Sequence, residues 1–212
     1  MKTDGPNAST FQTKHDGQAA EKGHTTLSGT HAINQPDYEA AGFRSATLVL
    51  GGARSGKSRH AESLIMAAPG PWIYLATGQA YDSEMQSRIE HHQTSRPTGW
   101  QTVEEPIDVA AILTRYATNS LLLDCLTLWL TNLLLEDHDI PSATDGLLRA
   151  LAARTAPTVL VGNEVGLGIV PENRLARRFR DEAGFLHQRI AAKVAHVLFV
   201  AAGLPLTLKK EQ

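Results

Sequence analysis

The stretch TLVLGGARSGKS, residues 47–58, decides how the chain reads. Its opening residues are apolar and β-prone, as a buried strand requires. Residues Gly51 to Ser58 fit the pattern G-x-x-x-x-G-K-S. From Lys57 to Ala67 a helix is expected, with Ala61, Leu64 and Ile65 on one face and Pro69-Gly70-Pro71 closing it. Between strand and helix, the backbone N–H groups of Gly51, Gly52, Ala53, Arg54, Ser55 and Gly56 can converge on phosphate oxygens at a helix N-terminus. Lys57 adds a point charge and Ser58 a hydroxyl for Mg²⁺. A plain glycine-rich turn is the competing reading, and it is disfavoured because the strand and the helix are both in place.

A phosphate loop of this kind works with an acid at the end of another strand, which holds Mg²⁺ or its water shell. Asp124, closing SLLLD, fits that place; its alternative is an N-cap for the helix that follows. Glu164, after TVLVGN, is the rival, with simple loop solvation as its alternative. These features predict Mg²⁺-dependent nucleoside-triphosphate chemistry and leave the acceptor open.

Outward from the loop, short apolar runs alternate with segments of helical period. WIYLA, WQTVEE, SLLLD and TVLVGN read as strands. Ser83 with Gln86 gives a capping-box signature for a helix reaching His91 and His92. Further helices are expected over residues 107–116, through LTLWLTNLLLE, over 142–153, and over 172–195 with a break or bend near Gly184. HVLFVAAG and LPLTLK read as a terminal hairpin. The alternation predicts an α/β fold, a mostly parallel sheet of the P-loop type with helices on both faces and a C-terminal β-hairpin. No internal repeat is visible.

Residues 1–45 are rich in Gly, Ser, Thr, Asn, Gln and Lys without sustained periodicity, and are expected to form a disordered extension ahead of a single domain over 46–212. His15, His24 and His31 within it lack ligand spacing and read as solvated. The 212 residues suffice for one α/β domain with at most an appendage. A net charge of −2 and a pI near 6.5 give no global basic field, which argues against nucleic acid as a partner. The single cysteine, Cys125, fits a reducing cytoplasm. No secretory pattern opens the chain, and the longest apolar run is too short for a membrane span and carries Asp124. A soluble protein is expected.

Several stretches occur together and in order: LVLGGARSGKSRHAE, YLATG, DSEMQSRIEHHQTSRP, WQTVEEP, LLLDCLTLWLTNLL and NEVGLGIVPENRLARRFRDEAGFLHQRIA. From about Leu48 to the C-terminus they resemble the bifunctional adenosylcobinamide kinase/adenosylcobinamide-phosphate guanylyltransferases of cobalamin biosynthesis. The resemblance implies two reactions. ATP or GTP phosphorylates the aminopropanol hydroxyl of adenosylcobinamide; GTP then gives GMP to adenosylcobinamide phosphate, with pyrophosphate released and GMP carried covalently on a histidine. It also implies a homo-oligomer.

A neutral imidazole suits that covalent step, since an unperturbed histidine is largely neutral near pH 7. Adjacent helical residues point about 100° apart, so His91 and His92 cannot both face one phosphorus. His92 lies three residues beyond Ile89 and shares its stripe, and the family pattern R-I-x-x-H also selects it; His91 is the rival. By the same resemblance Thr77, Gly78, Gln93, Thr94, Ser95 and Arg96 line the GTP site. Glu104 is a candidate acceptor for guanine N–H groups, with an exposed strand-end acid as the alternative. Asp124 stands where family members often carry Glu, and its shorter arm keeps the charge. Arg174, Arg177, Arg178 and Arg180 wrap around their helix, which favours a solvated or intersubunit surface, though one or two could contact a phosphate. His60 reads as a packing or surface residue. Two other functions compete: a small-molecule kinase without a covalent step, and a nucleotide-switched regulatory protein.

Overall fold

Apolar runs of four to six residues bounded by turns become strands when both faces are covered, and this happens here. The computed structural model describes residues 41–79 and 97–211. Strands β1 (Ala46–Gly51), β2 (Trp72–Ala76), β3 (Trp100–Glu104), β4 (Leu121–Asp124), β5 (Thr158–Asn163), β6 (His196–Ala201) and β7 (Leu204–Lys210) form one sheet. Their order is β3-β2-β4-β5-β1-β6-β7. All neighbours pair in parallel except β7, which turns back on β6 as the expected hairpin.

The helices are α1 (Ala41–Arg44), α2 (Lys57–Met66), α3 (Val109–Arg115), α4 (Leu126–Leu135), α5 (Ile140–Ala152) and α6 (Arg174–Lys193). Side chains alternate across each strand, so the sheet carries two cores. On one face Val49, Val159, Val161, Leu122 and Tyr74 meet Ala61 and Ile65 of α2. On the other, Leu48, Leu50, Leu123 and Leu160 meet Leu113, Trp129, Leu147, Leu186 and Ile190 of the remaining helices. Each such buried Leu, Ile or Val is worth roughly 1.5–3 kcal/mol against leaving it in water.

Three expectations are corrected. The N-terminal extension does not run to residue 45: Ala41–Arg44 form a helical turn, and Phe43 is buried in the larger core. Gly42 lies so close to the carbonyls of Leu151 and Ala152 that a side chain there would collide. One aromatic anchor fixes this short turn, and it leaves no periodicity to read. The expected extension over 1–40, with its three histidines, lies outside the described residues. Second, α6 passes through Gly184 without interruption and ends at Lys193. Ala183, Leu186 and Ile190 pack against the core on either side of the glycine, and their burial outweighs the roughly 1 kcal/mol a helical glycine costs. Third, two helix starts move. Asp108 caps α3 by accepting from Ala111 N, after Glu105 takes the N–H groups of Ile107 and Asp108. Asp139 caps α5 by accepting from Ser142 N.

Arg154 ties the edge opposite the loop. Only 1% exposed, it donates to Thr158 Oγ1 and to the carbonyls of Leu113, Tyr116 and Asn119. Burial pulls its guanidinium down to about 10, still charged at neutral pH. Because the first six strands are parallel, Gly51, Ala76, Glu104, Asp124 and Asn163 all end at one edge of the sheet, where open α/β folds bind ligands.

Candidate functional site

At that edge the chain leaves β1 into the phosphate loop. Gly51 cannot carry a side chain, because a Cβ would lie 2.5 Å from Val200 O and 2.6 Å from Ser55 Oγ. Gly56, the residue before α2, has φ 91°, and Gly203 of the hairpin turn packs against it. Gly203 N also donates to Ser55 O at 2.8 Å, so the β6–β7 turn buttresses the loop. Within the loop Ser55 N donates to Gly52 O at 3.3 Å, and Lys57 Nζ reaches back to the same oxygen at 3.2 Å. Lys57 is 8% exposed, so its charge is held inside the loop. Ala53 and Arg54 are exposed, and Arg54 takes a left-handed φ of 56°.

Asp124 closes β4, one strand removed from β1. It does not cap α4: the N-cap is Cys125, and the Asp124 carboxylate accepts from Tyr74 Oη at 2.8 Å. The carboxylate is thus held at the strand edge. A serine hydroxyl and a carboxylate are the hard oxygen donors that suit Mg²⁺, and Ser58 and Asp124 supply them. Among the described residues no group of three or more His, Cys, Asp or Glu side chains gathers to hold a metal. A cation here would complete its shell with phosphate oxygens and water. Glu164 is placed differently: its backbone N–H donates to Gly51 O at 3.0 Å, and its carboxylate accepts from Gly166 N.

Thr77 is fully buried, with its hydroxyl donating to Cys125 O at 2.7 Å and accepting from Cys125 N at 2.9 Å. Asn132 Nδ2 then donates to Thr77 O at 2.8 Å and to Pro106 O at 3.0 Å. The Thr77 side chain therefore joins the ends of β2 and β4 beneath the edge, while Gly78 lies partly exposed above it. Burial, with the negative Asp124 alongside, pushes the Cys125 thiol up to about 11, so it stays protonated. Glu104 is exposed at the end of β3, in register with Ala76. His91, His92, Gln93, Thr94, Ser95 and Arg96, and the helix expected to carry the histidines, lie outside the described residues.

The arginines of α6 divide as expected for a surface. Arg174 and Arg178 are exposed, Arg180 pairs with Asp181 at 2.9 Å, and Arg177 donates to the Pro171 and Glu172 carbonyls at the helix start. His60 is half-buried on α2. The sequence reading missed Tyr74, Asn132 and Thr127, whose hydroxyl accepts from Asn163 N at the end of β5. Their signal was present: each is a polar group in an otherwise apolar buried segment, which obliges it to find a partner.

The fold and the site define a P-loop nucleotide-binding α/β protein. Residues 47–208 match the family model for cobinamide kinase / cobinamide phosphate guanyltransferase (CobU). The chain belongs to that family. It is 51% identical over 170 residues to the bifunctional adenosylcobalamin biosynthesis protein CobP of Pseudomonas aeruginosa, covering 77% of this chain and 97% of that protein. It is 45% and 43% identical over 179 residues to the bifunctional adenosylcobalamin biosynthesis proteins CobU of Salmonella typhimurium and Escherichia coli, covering 76% of this chain and 98% of each relative. No described helix is long and apolar enough to cross a membrane.

Proposed function

We propose that the chain is a cytoplasmic, homo-oligomeric enzyme that phosphorylates adenosylcobinamide with ATP or GTP and then transfers GMP from GTP to the phosphate just made, through GMP bound covalently to His92. The observation that carries this reading is the phosphate loop between β1 and α2, with Asp124 at the same sheet edge, in a chain matched along most of its length by a kinase and guanyltransferase family.

In the kinase half the loop amides and Lys57 hold the triphosphate and offset the charge that builds on the departing diphosphate. The acceptor oxygen attacks the γ-phosphorus, the bond to the β-phosphate oxygen breaks, and the hydroxyl proton leaves with solvent. Ser58 and Asp124 are the residues that would hold Mg²⁺, which supplies further charge neutralisation when bound. In the second half the neutral imidazole of His92 attacks the α-phosphorus of GTP and pyrophosphate departs. A phosphate oxygen of the corrinoid substrate then attacks the same phosphorus and the P–N bond breaks, which regenerates the histidine.

Glu104 and Gly78 stand at the ends of neighbouring strands, β3 and β2. A carboxylate there accepts the two N–H donors of guanine, and adenine offers no such pair. Gln93, Thr94, Ser95 and Arg96 complete this side in the proposed site. Thr77 acts as a positioning residue, because its hydroxyl is already committed to Cys125.

The test is covalent labelling. The chain is incubated with GTP labelled at the α-phosphate, denatured, and exposed to alkali and to mild acid. A phosphoramidate survives alkali and is lost in acid, and His92→Ala abolishes it. No label on the wild-type chain would leave a simple kinase; label on His92→Ala but not on His91→Ala would transfer the role to His91.

A further inference from the structure

We propose that Asn163 is a further contact residue of the phosphate site, whose carboxamide oxygen receives its hydrogen bond only when a metal–nucleotide complex is bound. The inference rests on reading the loop as a nucleotide site, and it adds a residue that the loop pattern does not contain.

Three observations place it there. Asn163 ends β5, the strand lying between the one that feeds the phosphate loop and the one that carries Asp124. It stands in register with Gly51 on one side, and on the other Val161, two residues before it, stands in register with Asp124. Side-chain alternation along β5 puts Asn163 on the same face as Val159 and Val161, which pack beneath Ala61 and Ile65 of α2. Asp124 is on that face too, two residues beyond Leu122. The carboxamide therefore sits under the first turn of α2, where Lys57 and Ser58 are.

The main chain at this point is fixed. Asn163 N donates to Thr127 Oγ1 at 2.8 Å, and the next N–H, that of Glu164, donates to Gly51 O at 3.0 Å. The side chain is not: Asn163 Oδ1 is buried and accepts no hydrogen bond from the described residues. Ser55 Oγ, packed on Gly51 in the loop itself, is another buried polar atom without a partner among the described residues. Buried acceptors are nearly always paired, and an unpaired one costs the protein stability. An asparagine kept here at that cost, wedged between the loop and Asp124, fits a group that pairs with the ligand. An acceptor takes a donor, and the donors a metal–triphosphate complex brings are metal-bound water molecules.

The prediction separates a ligand contact from a packing role, because the two move the ligand-free protein in opposite directions. Replacing an unpaired buried acceptor by an apolar group of similar size removes its desolvation cost. In the full chain, Asn163→Leu should melt at or above the wild-type temperature without ligand, while Mg·GTP binding measured by calorimetry weakens about tenfold or more. Asn163→Ala should weaken binding similarly if the leucine variant does not fold. Asn163→Asp should keep Mg·GTP binding and lose binding of GTP in the presence of EDTA, since a carboxylate repels the bare triphosphate. Mg·GTP binding unchanged in the leucine and alanine variants would overturn the proposal. So would a lowered ligand-free melting temperature in both, which marks a structural residue. Failure of the wild-type chain to bind Mg·GTP would instead sink the nucleotide site itself.

Discussion

Tyr74 donates its phenolic hydrogen to Asp124 across the β2–β4 boundary at 2.8 Å. The ring is held by Trp100, whose own ring lies edge-on at 5.9 Å. Tyr74→Phe therefore keeps the packing and removes the bond that aims the carboxylate. Hydrogen bonds to charged groups contribute about 1.5–3 kcal/mol. The Mg²⁺ concentration for half-maximal kinase activity should rise by about tenfold or more, with little change in melting temperature. An unchanged Mg²⁺ dependence would remove Asp124 from the metal site.

Gly56 carries a left-handed backbone and the close approach of Gly203. A Cβ there would lie 3.1 Å from Gly203 Cα. Gly56→Ala adds the left-handed penalty of roughly 1–2 kcal/mol and pushes the hairpin turn off the loop. Nucleotide affinity should fall sharply in calorimetry, while circular dichroism keeps its α/β signature. Retained affinity would mean that the hairpin does not buttress the loop.

Phe43 anchors the first described helical turn to the larger core. It is 2% exposed against the larger core, and Ala195 N donates to its carbonyl at 2.9 Å. A chain starting at residue 41 should unfold in urea like the full-length chain. One starting at residue 46 should lose stability by about 3–5 kcal/mol, the usual cost of deleting a buried phenylalanine. Equal midpoints for the two truncations would contradict the packing.

The sequence made the strands legible because a parallel sheet covered on both faces writes itself as apolar runs: WIYLA and TVLVGN match β2 and β5 residue for residue. The loop was legible for the same local reason, since Gly51, Gly56, Lys57 and Ser58 do their work within eight residues. What could not be read is whatever depends on pairing across the chain. Capping of α4 stood as the alternative for Asp124 until pairing of β2 with β4 brought its carboxylate to the Tyr74 hydroxyl, fifty residues away. Thr77 was expected to line the GTP site, and only the neighbouring end of β4 reveals that Cys125 occupies its hydroxyl. Gly184 looked like a break because local propensity is visible in sequence, whereas the packing of Leu186 and Ile190 that overrides it is not. Asn163 lies inside the family stretch and drew no attention, since a polar residue closing a strand is ordinary until its Oδ1 proves to be buried.

His187 gives the fold a pH dependence through a buried ring. It sits on α6, 7% exposed, with Nε2 buried against the backbone of Gly162 and without a hydrogen-bond partner among the described residues. A Cβ on Gly162 would lie 2.6 Å from that nitrogen, so the glycine makes the room the ring fills. Burial lowers the His187 pKa below its ordinary 6.5, and the negative Glu164 opposes this without reversing it. The folded state therefore binds the proton less readily than the unfolded state. The neutral ring is stable in place above about pH 6.5, and stability is lost as pH falls below that value toward the lowered folded pKa. Urea unfolding of the wild-type chain should show its midpoint dropping over this acid interval, and His187→Leu should flatten that part of the profile. Glu164→Gln removes the opposing charge, so it should make the acid loss extend further. A His187→Leu profile that falls as steeply as the wild type would assign the acid sensitivity to another group and leave the Gly162–His187 contact a matter of packing alone.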